Sequence, residues 1–350
     1  MRSRSRVAAR RSPSDAPRVD DTHRSAAAPS SEGLEVAFIL GMGRSGTNFL
    51  LDLLDASPTT HCRNEPDELP GGALESWSEW KIHSGLRGAE DLWSALQRAA
   101  ASGGERDRRI PAHKAWLRSS ASAPLNALSR AKFRKLLPTM GGAEYQLPNA
   151  LAQADALAGA LHVFKVNAAP SIAEVFLDEP LSEATPPPKV IHIVRNPAGF
   201  LRSWRRRWLV KHDEAEVFAA NLARLQAVLE HDPDGGAFIR EVQDPDVFEA
   251  ELLFWRYCTQ RIRAAGAESQ GYYEVSYDEL AHAPLPSLRG VFDHLNLPWD
   301  GQLEARVNQM TGASVNIADA YQRELDEDAR ARFERTLGPA LVEEFSLKRS

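Results

Sequence analysis

Apolar residues run unbroken from Val36 to Leu40. A short apolar run closed by glycine is the pattern of a parallel strand buried on both faces. A glycine-rich turn, Gly41 to Gly46, follows, and from Thr47 to Leu54 apolar residues recur at helical spacing. The same alternation returns down the chain. Leu161–Asn167 and Lys189–Arg195 predict two further strands, the second announced by the loop marker Pro186-Pro187-Pro188, and Gly271–Tyr277 predicts a fourth. Helical patterns fill 213–231, 246–266 and 285–296. Strands alternating with helices predict an α/β fold with a parallel sheet, and such a sheet collects ligands at the carboxyl ends of its strands. Arg44, Lys165, Arg195 and Tyr277 all fall at or near such ends.

Two stretches depart from this pattern. Residues 1–33 hold seven arginines and four acids among Ser, Ala and Pro, with hardly any large apolar side chain. That composition predicts a solvated, disordered tail, and the ordered domain is expected to occupy 34–350. No apolar segment follows Arg10-Arg11 as a secretion signal requires, and Asp15, Asp20 and Asp21 count against a transit peptide. Residues 70–160 read mainly as helices, punctuated by Gly71-Gly72, Gly103-Gly104 and Gly141-Gly142, and they carry Trp77, Trp80, Trp93 and Trp116. Most of these tryptophans are expected to fill core.

A strand, a glycine turn and a helix N-terminus together form a phosphate cradle, because backbone N–H groups and the helix dipole both favour an anion there. Gly41 and Gly46 keep the spacing of a Walker A loop. That loop continues with Lys and then Ser or Thr, the groups that serve Mg·ATP. Here the two positions hold Thr47 and Asn48, and the cation has moved into the loop as Arg44. The chemistry implied is a phosphate-type donor used without an obligatory metal. A second cation set follows the strand 189–195. Arg195 ends it, Asn196-Pro197 break it, and Ser203 and Arg207 come four residues apart on the next helix, on one face. An arginine at a strand end, with a hydroxyl and a second arginine beside it, can grip a second phosphate.

Together these motifs resemble the PAPS-dependent sulfotransferase family, whose donor is 3′-phosphoadenosine 5′-phosphosulfate, and within it the type-3, tyrosylprotein-like branch. Arg44-Ser45-Gly46-Thr47-Asn48 is similar to that family's 5′-phosphosulfate loop, usually Arg/Lys-Ser-Gly-Thr-Thr, and departs from it at Asn48. Val194-Arg195-Asn196-Pro197 through Ser203 resembles its 3′-phosphate site. Val275-Ser276-Tyr277-Asp278-Glu279-Leu280 resembles its late strand motif, in which the Tyr contacts nucleotide. The resemblance spans residues 34–320 as spaced motifs. It implies a P-loop-NTPase-like three-layer fold, a central parallel sheet flanked by helices. It also implies in-line transfer of a sulfuryl group from PAPS to an acceptor hydroxyl, with release of adenosine 3′,5′-bisphosphate and no metal.

The resemblance also distributes roles. Arg44 takes the 5′-phosphate and bridging oxygen, helped by donors of Ser45, Gly46, Thr47 and Asn48. Arg195, Ser203 and Arg207 take the 3′-phosphate. Lys165 stabilises charge on the transferring group; a lysine in an apolar run is seldom buried without a partner. Glu65, in Cys62-Arg63-Asn64-Glu65-Pro66, matches the carboxylate that removes the acceptor proton. His61, Asp67 and Glu68 are its rivals, and other branches of the superfamily use a His. Trp204 or Trp208 stands where it can stack on adenine or simply pack. Ser314 and Asn316 fall where the family closes a loop over the nucleotide. The 70–160 insert is the expected acceptor-binding region, and His113 and Lys114 are weaker candidates within it.

Composition trims the alternatives. A net charge of −6 over 350 residues argues against general nucleic-acid binding. Two cysteines, Cys62 and Cys258, exclude a disulfide framework and point to a reducing compartment, while still allowing one bridge. No apolar run reaches the length of a membrane span, so a cytoplasmic location is expected. No Cys, His, Asp or Glu set has metal-ligand spacing. The competing readings are a P-loop kinase or NTPase, which lacks its Lys and Ser/Thr here, and a catalytically inactive nucleotide-binding module. The acceptor stays open among a peptide tyrosine, a sugar, a lipid and a small phenol. Oligomeric state is not legible.

Overall fold

The computed structural model describes residues 34–68, 74, 89–101, 159–178, 187–312, 314–323 and 327–347. The expected tail, most of the 70–160 insert and the candidates His113, Lys114, Trp77, Trp80 and Trp116 lie outside the described residues. Val36–Gly41 forms β1, buried at every position. Thr47–Asp55 is α1, Leu161–Asn167 is β3 and Lys189–Val194 is β4. Thr60–Asn64 forms β2, a strand that the sequence pattern did not announce. Its residues, Thr-His-Cys-Arg-Asn, carry no apolar run, and pairing with β3 makes them a strand. Tyr272–Ser276 is β5, shorter at both ends than the expected strand because Tyr277 opens a helix. Among the described residues, these strands make one parallel sheet in the order β2-β3-β1-β4-β5.

Several helices begin where side chains can take up their first N–H groups. Pro197–Trp208 is α4, with Asn196 accepting from the Ala198 N–H and Pro197 in the first turn. Glu214–His231 is α5, capped by Asp213, and Val247–Gly266 is α6, closed by a reciprocal Asp246–Glu249 capping box. Both start one residue after the acid that sequence reading had placed inside them. Ala89–Ala101 is α2, Pro170–Asp178 is α3, Tyr277–His282 is α7, Pro284–His294 is α8, Gly301–Thr311 is α9 and Ser314–Ala318 is α10. Glu327–Leu337 is α11 and Pro339–Glu344 is α12.

Alternation of side chains along the strands divides the core. Ala37 and Ile39 pack with Leu50, Leu53 and Leu54 of α1 on one face, together with residues of α7, α8 and α9. Phe38 and Leu40 pack on the other face with Ile172, Ala173 and Phe176 of α3 and with Leu92 and Leu96 of α2. The chain therefore leaves β1 toward one face and the adjacent β3 toward the other. That divergence opens a crevice at the carboxyl ends of the two strands, the usual ligand position in such a sheet. A third cluster, built on Phe200, Leu253, Phe254 and Trp255, fixes α4, α5 and α6 beside that crevice.

Candidate active site

The loop after β1 is shaped by close approaches. A Cβ on Gly41 would stand 2.5 Å from the Ile193 carbonyl oxygen. At Gly46 it would stand 2.1 Å from Cδ2 of Tyr277, and φ there is 96°. Only glycine meets both demands at that position. Arg44 adopts a φ of 80°, a left-handed conformation that costs energy in a non-glycine residue and recurs at functional sites. The Ser45 N–H bonds the Met42 carbonyl at 3.0 Å and tightens the turn. Gly46 caps α1 without a side chain, so no side-chain oxygen competes for its first N–H groups. The Ser45 hydroxyl is buried and has no hydrogen-bond partner. A buried orphan donor costs about 1–3 kcal/mol, a cost that a bound anion would remove.

The second cation set adjoins the first. Arg195 Nη1 donates to the Arg44 carbonyl at 3.1 Å, and Nη2 donates to the Ile317 carbonyl at 3.4 Å. The Arg44 Nε donates to Ser203 Oγ at 3.2 Å. The Arg195 guanidinium lies over the Tyr277 ring, 4.4 Å from its centroid, and the same ring fills the space beneath Gly46. Arg195 is buried and its Nε has no partner. Burial holds the Arg195 pKa below the usual arginine value, against the opposing pull of Tyr277 and Asp278. Arg44 stays exposed, and partial desolvation with the charge of the nearby Arg207 lowers its pKa too. Arg207 itself is exposed. Cations that are desolvated and repel one another want an anion between them.

Across the crevice, alternation along β3 sends Lys165 and Asn167 to one side. The Lys165 Nζ bonds the Glu65 carboxylate and, at 3.2 Å, Asn64 Oδ1. The Asn167 Nδ2 donates to Glu65 Oε1 at 2.6 Å, and its Oδ1 accepts from the Thr47 hydroxyl at 3.1 Å. Asn167 thus ties the carboxylate to the phosphate loop; sequence reading missed it, although it ends the strand two residues after Lys165. Burial pushes the Lys165 ammonium down, with Glu65 opposing. Glu65 has a φ of 51° and is pinned by its N–H to the Lys165 carbonyl at 2.9 Å.

The other candidates divide. His61 sits inside β2, edge-on to the His162 ring, away from the strand's carboxyl end where Glu65 lies. Asp67 is buried in the short 3₁₀ turn Pro66–Glu68, and Glu68 is exposed. Asn48 is exposed on α1. Trp204 is buried, edge-on to Phe248 and part of the α4–α6 core, whereas Trp208 is 40% exposed. Ser314 spends its hydroxyl on the Ala281 and Thr311 carbonyls, and Asn316 is exposed. It is the Ile317 backbone of α10 that reaches Arg195. Among the described residues, no group of three or more His, Cys, Asp or Glu could hold a metal ion, and no helix is long and apolar enough to cross a membrane. Cys62 and Cys258 are both buried and unbridged.

A parallel sheet flanked by helices, with an arginine-bearing glycine loop and a second arginine side by side at its carboxyl ends, defines an α/β protein with two adjoining cation sites. The model of the sulfotransferase family matches residues 37–301, and the chain belongs to that family. It is a transferase of sulfuryl groups by membership. Among solved structures it is similar to the sulfotransferase domain from the curacin biosynthetic pathway, with 15% identity over 91% of this chain and 99% of that one, at a TM-score of 0.43. It is also similar to the sulfotransferase domain of the Synechococcus PCC 7002 olefin synthase, with 18% identity over 92% and 91% of the two chains, at a TM-score of 0.38. A third is a sulfotransferase from Alicyclobacillus acidocaldarius, with 12% identity over 82% and 94%, at a TM-score of 0.35. No curated protein matches the chain.

Proposed function

We propose that the protein transfers a sulfuryl group from PAPS to a hydroxyl of an acceptor and releases adenosine 3′,5′-bisphosphate. The observation that carries this reading is the junction of the two cation sites, where Arg195 bonds the backbone of Arg44. The 3′- and 5′-phosphates of PAPS stand on one ribose, so sites for them must adjoin. The buried, unpartnered Ser45 hydroxyl and Arg195 Nε fit such a doubly anionic ligand. Arg44, Ser45, Gly46, Thr47 and Asn48 would hold the 5′ end through backbone and side-chain donors. Arg195, Ser203 and Arg207 would hold the 3′ end. Tyr277 supports both from below by filling the space under Gly46 and stacking on Arg195.

PAPS, when bound, supplies an electrophilic sulfur with a phosphate as its leaving group. Glu65 accepts the proton of the acceptor hydroxyl as the new O–S bond forms and the sulfur–phosphate oxygen bond breaks. Lys165, held by Glu65 and Asn64, faces the charge that shifts onto the leaving phosphate, as does Arg44. Positioning and charge stabilisation then account for most of the catalysis, as in phosphoryl transfer. No step requires a metal.

The test is thermal unfolding with added nucleotide. Adenosine 3′,5′-bisphosphate at a hundred times its Kd should stabilise the protein by about 2.7 kcal/mol, and Mg·ATP should not. Stabilisation by Mg·ATP alone would replace this reading with a kinase or NTPase. Arg195→Ala should abolish most of the bisphosphate shift; an undiminished shift would remove Arg195 from the donor site.

A further inference from the structure

A cleft of about 560 Å³ opens from the crevice and runs between α4, α5 and α6. Its inner end is walled by Met42 and Gly43 of the donor loop and by Asn167, the residue that holds Glu65. Its flanks are Trp204, Trp208, Val217 and Phe254. Arg224 is the cation of its wall, among the polar residues Asn167, His212 and Asn221. Arg224 Nη2 donates to both Asn221 Oδ1 and the buried Glu251 carboxylate, and the guanidinium lies 4.6 Å from the Phe254 ring centroid. Among the described residues, no acceptor meets Arg224 Nε or Nη1. The guanidinium is therefore locked from one side and offers donors toward the cleft. Its charge is already matched by Glu251, and Glu68 and Glu216 also line the space, so an anion brought there meets more carboxylates than cations.

Resting on the sulfotransferase reading above, we propose that this cleft is the acceptor site and that it selects neutral, largely apolar hydroxy compounds bearing a carbonyl. The hydroxyl end lies at Glu65, the apolar body lies between the tryptophans and Phe254, and the carbonyl oxygen accepts from Arg224. An acceptor carrying a carboxylate in place of the neutral carbonyl is disfavoured by Glu216 and Glu251. This places the acceptor site on α4–α6, in addition to the insert where sequence reading sought it.

The experiment measures sulfuryl transfer by the full chain with PAPS and three probes. These are phenol, the N-propyl amide of hydroxyphenylpropionic acid, and the free acid; a parallel set uses propanol, the N-butyl amide of hydroxyhexanoic acid, and its free acid. In at least one set the amide should exceed both the short probe and the acid in kcat/KM by about tenfold or more, the size expected for one hydrogen bond to a charged group. Val217→Trp, which fills the cleft from a half-buried position, should raise KM for the amide about tenfold. It should leave KM for the short probe and the binding of adenosine 3′,5′-bisphosphate unchanged. The paired change Arg224→Met with Glu251→Met, which strands no buried charge, should erase the preference for amide over short probe through KM, with kcat held. Transfer to the short probes without any amide preference, or a preference untouched by both variants, overturns the acceptor assignment alone. Binding of the bisphosphate without transfer to any probe likewise overturns the acceptor assignment, whereas failure to bind the bisphosphate overturns the PAPS reading on which it rests.

Discussion

Glu65 illustrates how one side chain is made ready by its backbone. Its left-handed φ of 51° would be unfavourable in isolation, and it is held by the bond from its N–H to Lys165 and by the Glu68 N–H on its carbonyl. The carboxylate is then drawn to Lys165 and Asn167. Glu65→Gln should lower kcat by about a hundredfold or more, the usual worth of a general base, while nucleotide-dependent stabilisation persists. Retained turnover would remove Glu65 from that role. The same substitution leaves Lys165 buried without its counter-charge, so a lowered melting temperature should accompany the kinetic loss. Gly46 is the complementary case. Gly46→Ala drives a methyl into the Tyr277 ring at a φ of 96°, and displaces the ring that supports Arg195. Affinity for adenosine 3′,5′-bisphosphate, measured by calorimetry, should fall at least tenfold; unaltered affinity would show that the loop tolerates the shift.

At the scale of elements, β2 matters most for the chemistry because Glu65 follows it directly. It is an edge strand with polar residues, and its hold on the domain is unusual. Arg63, buried within it, donates Nη2 to the Ala100 carbonyl of α2 at 3.0 Å, and its Nη1 meets His162 Nδ1 of β3 at 2.9 Å. Arg63→Met keeps the stem's packing and removes both bonds. We expect a loss of about 2–4 kcal/mol in stability, from an orphaned carbonyl and lost charge-assisted bonds. We also expect a larger fall in kcat than in donor affinity, because the strand ends at the base and not at the phosphate loop. Equal losses in both would show that β2 acts only through global stability. The strand was illegible in advance because its stabilising partners lie far away in sequence, at 100 and 162. The apolar runs of β1, β3 and β4, by contrast, announce themselves locally.

For the whole molecule, a partly buried network on β4 and β5 contributes to the response to acid. His192 of β4 meets the Tyr272 hydroxyl at 2.8 Å, and Glu274 of β5 accepts from Arg263 of α6, which also reaches Glu344 of α12. Burial holds the His192 pKa below the usual imidazole value. Despite burial, the bonds from His192 and Arg263 hold the Glu274 pKa well below the carboxylate range. In each case the unfolded chain binds protons more readily than the folded one, so stability falls as pH falls. The loss should begin below about pH 6.5 through His192 and steepen below about pH 4.5 through Glu274. Melting temperatures recorded from neutral to acid pH should show both slopes, and Glu274→Gln should remove the lower one. An acid slope unchanged in Glu274→Gln would contradict the network's role.

Local pattern alone determined much of this protein. Contiguous apolar runs specify buried strands, and glycine spacing specifies the tight turn from β1 into α1 that carries Arg44. Those properties are written in neighbouring residues. What required the tertiary structure is everything made by residues that are strangers in sequence. Asn167 bridging Thr47 to Glu65, Ile317 receiving Arg195, and Tyr277 serving as the floor of the loop are of this kind. So is the cleft between α4 and α6, whose walls come from three helices and a loop more than a hundred residues away. A parallel sheet forces this division: its strands are joined only by long crossovers, so the groups it gathers at one edge are remote along the chain.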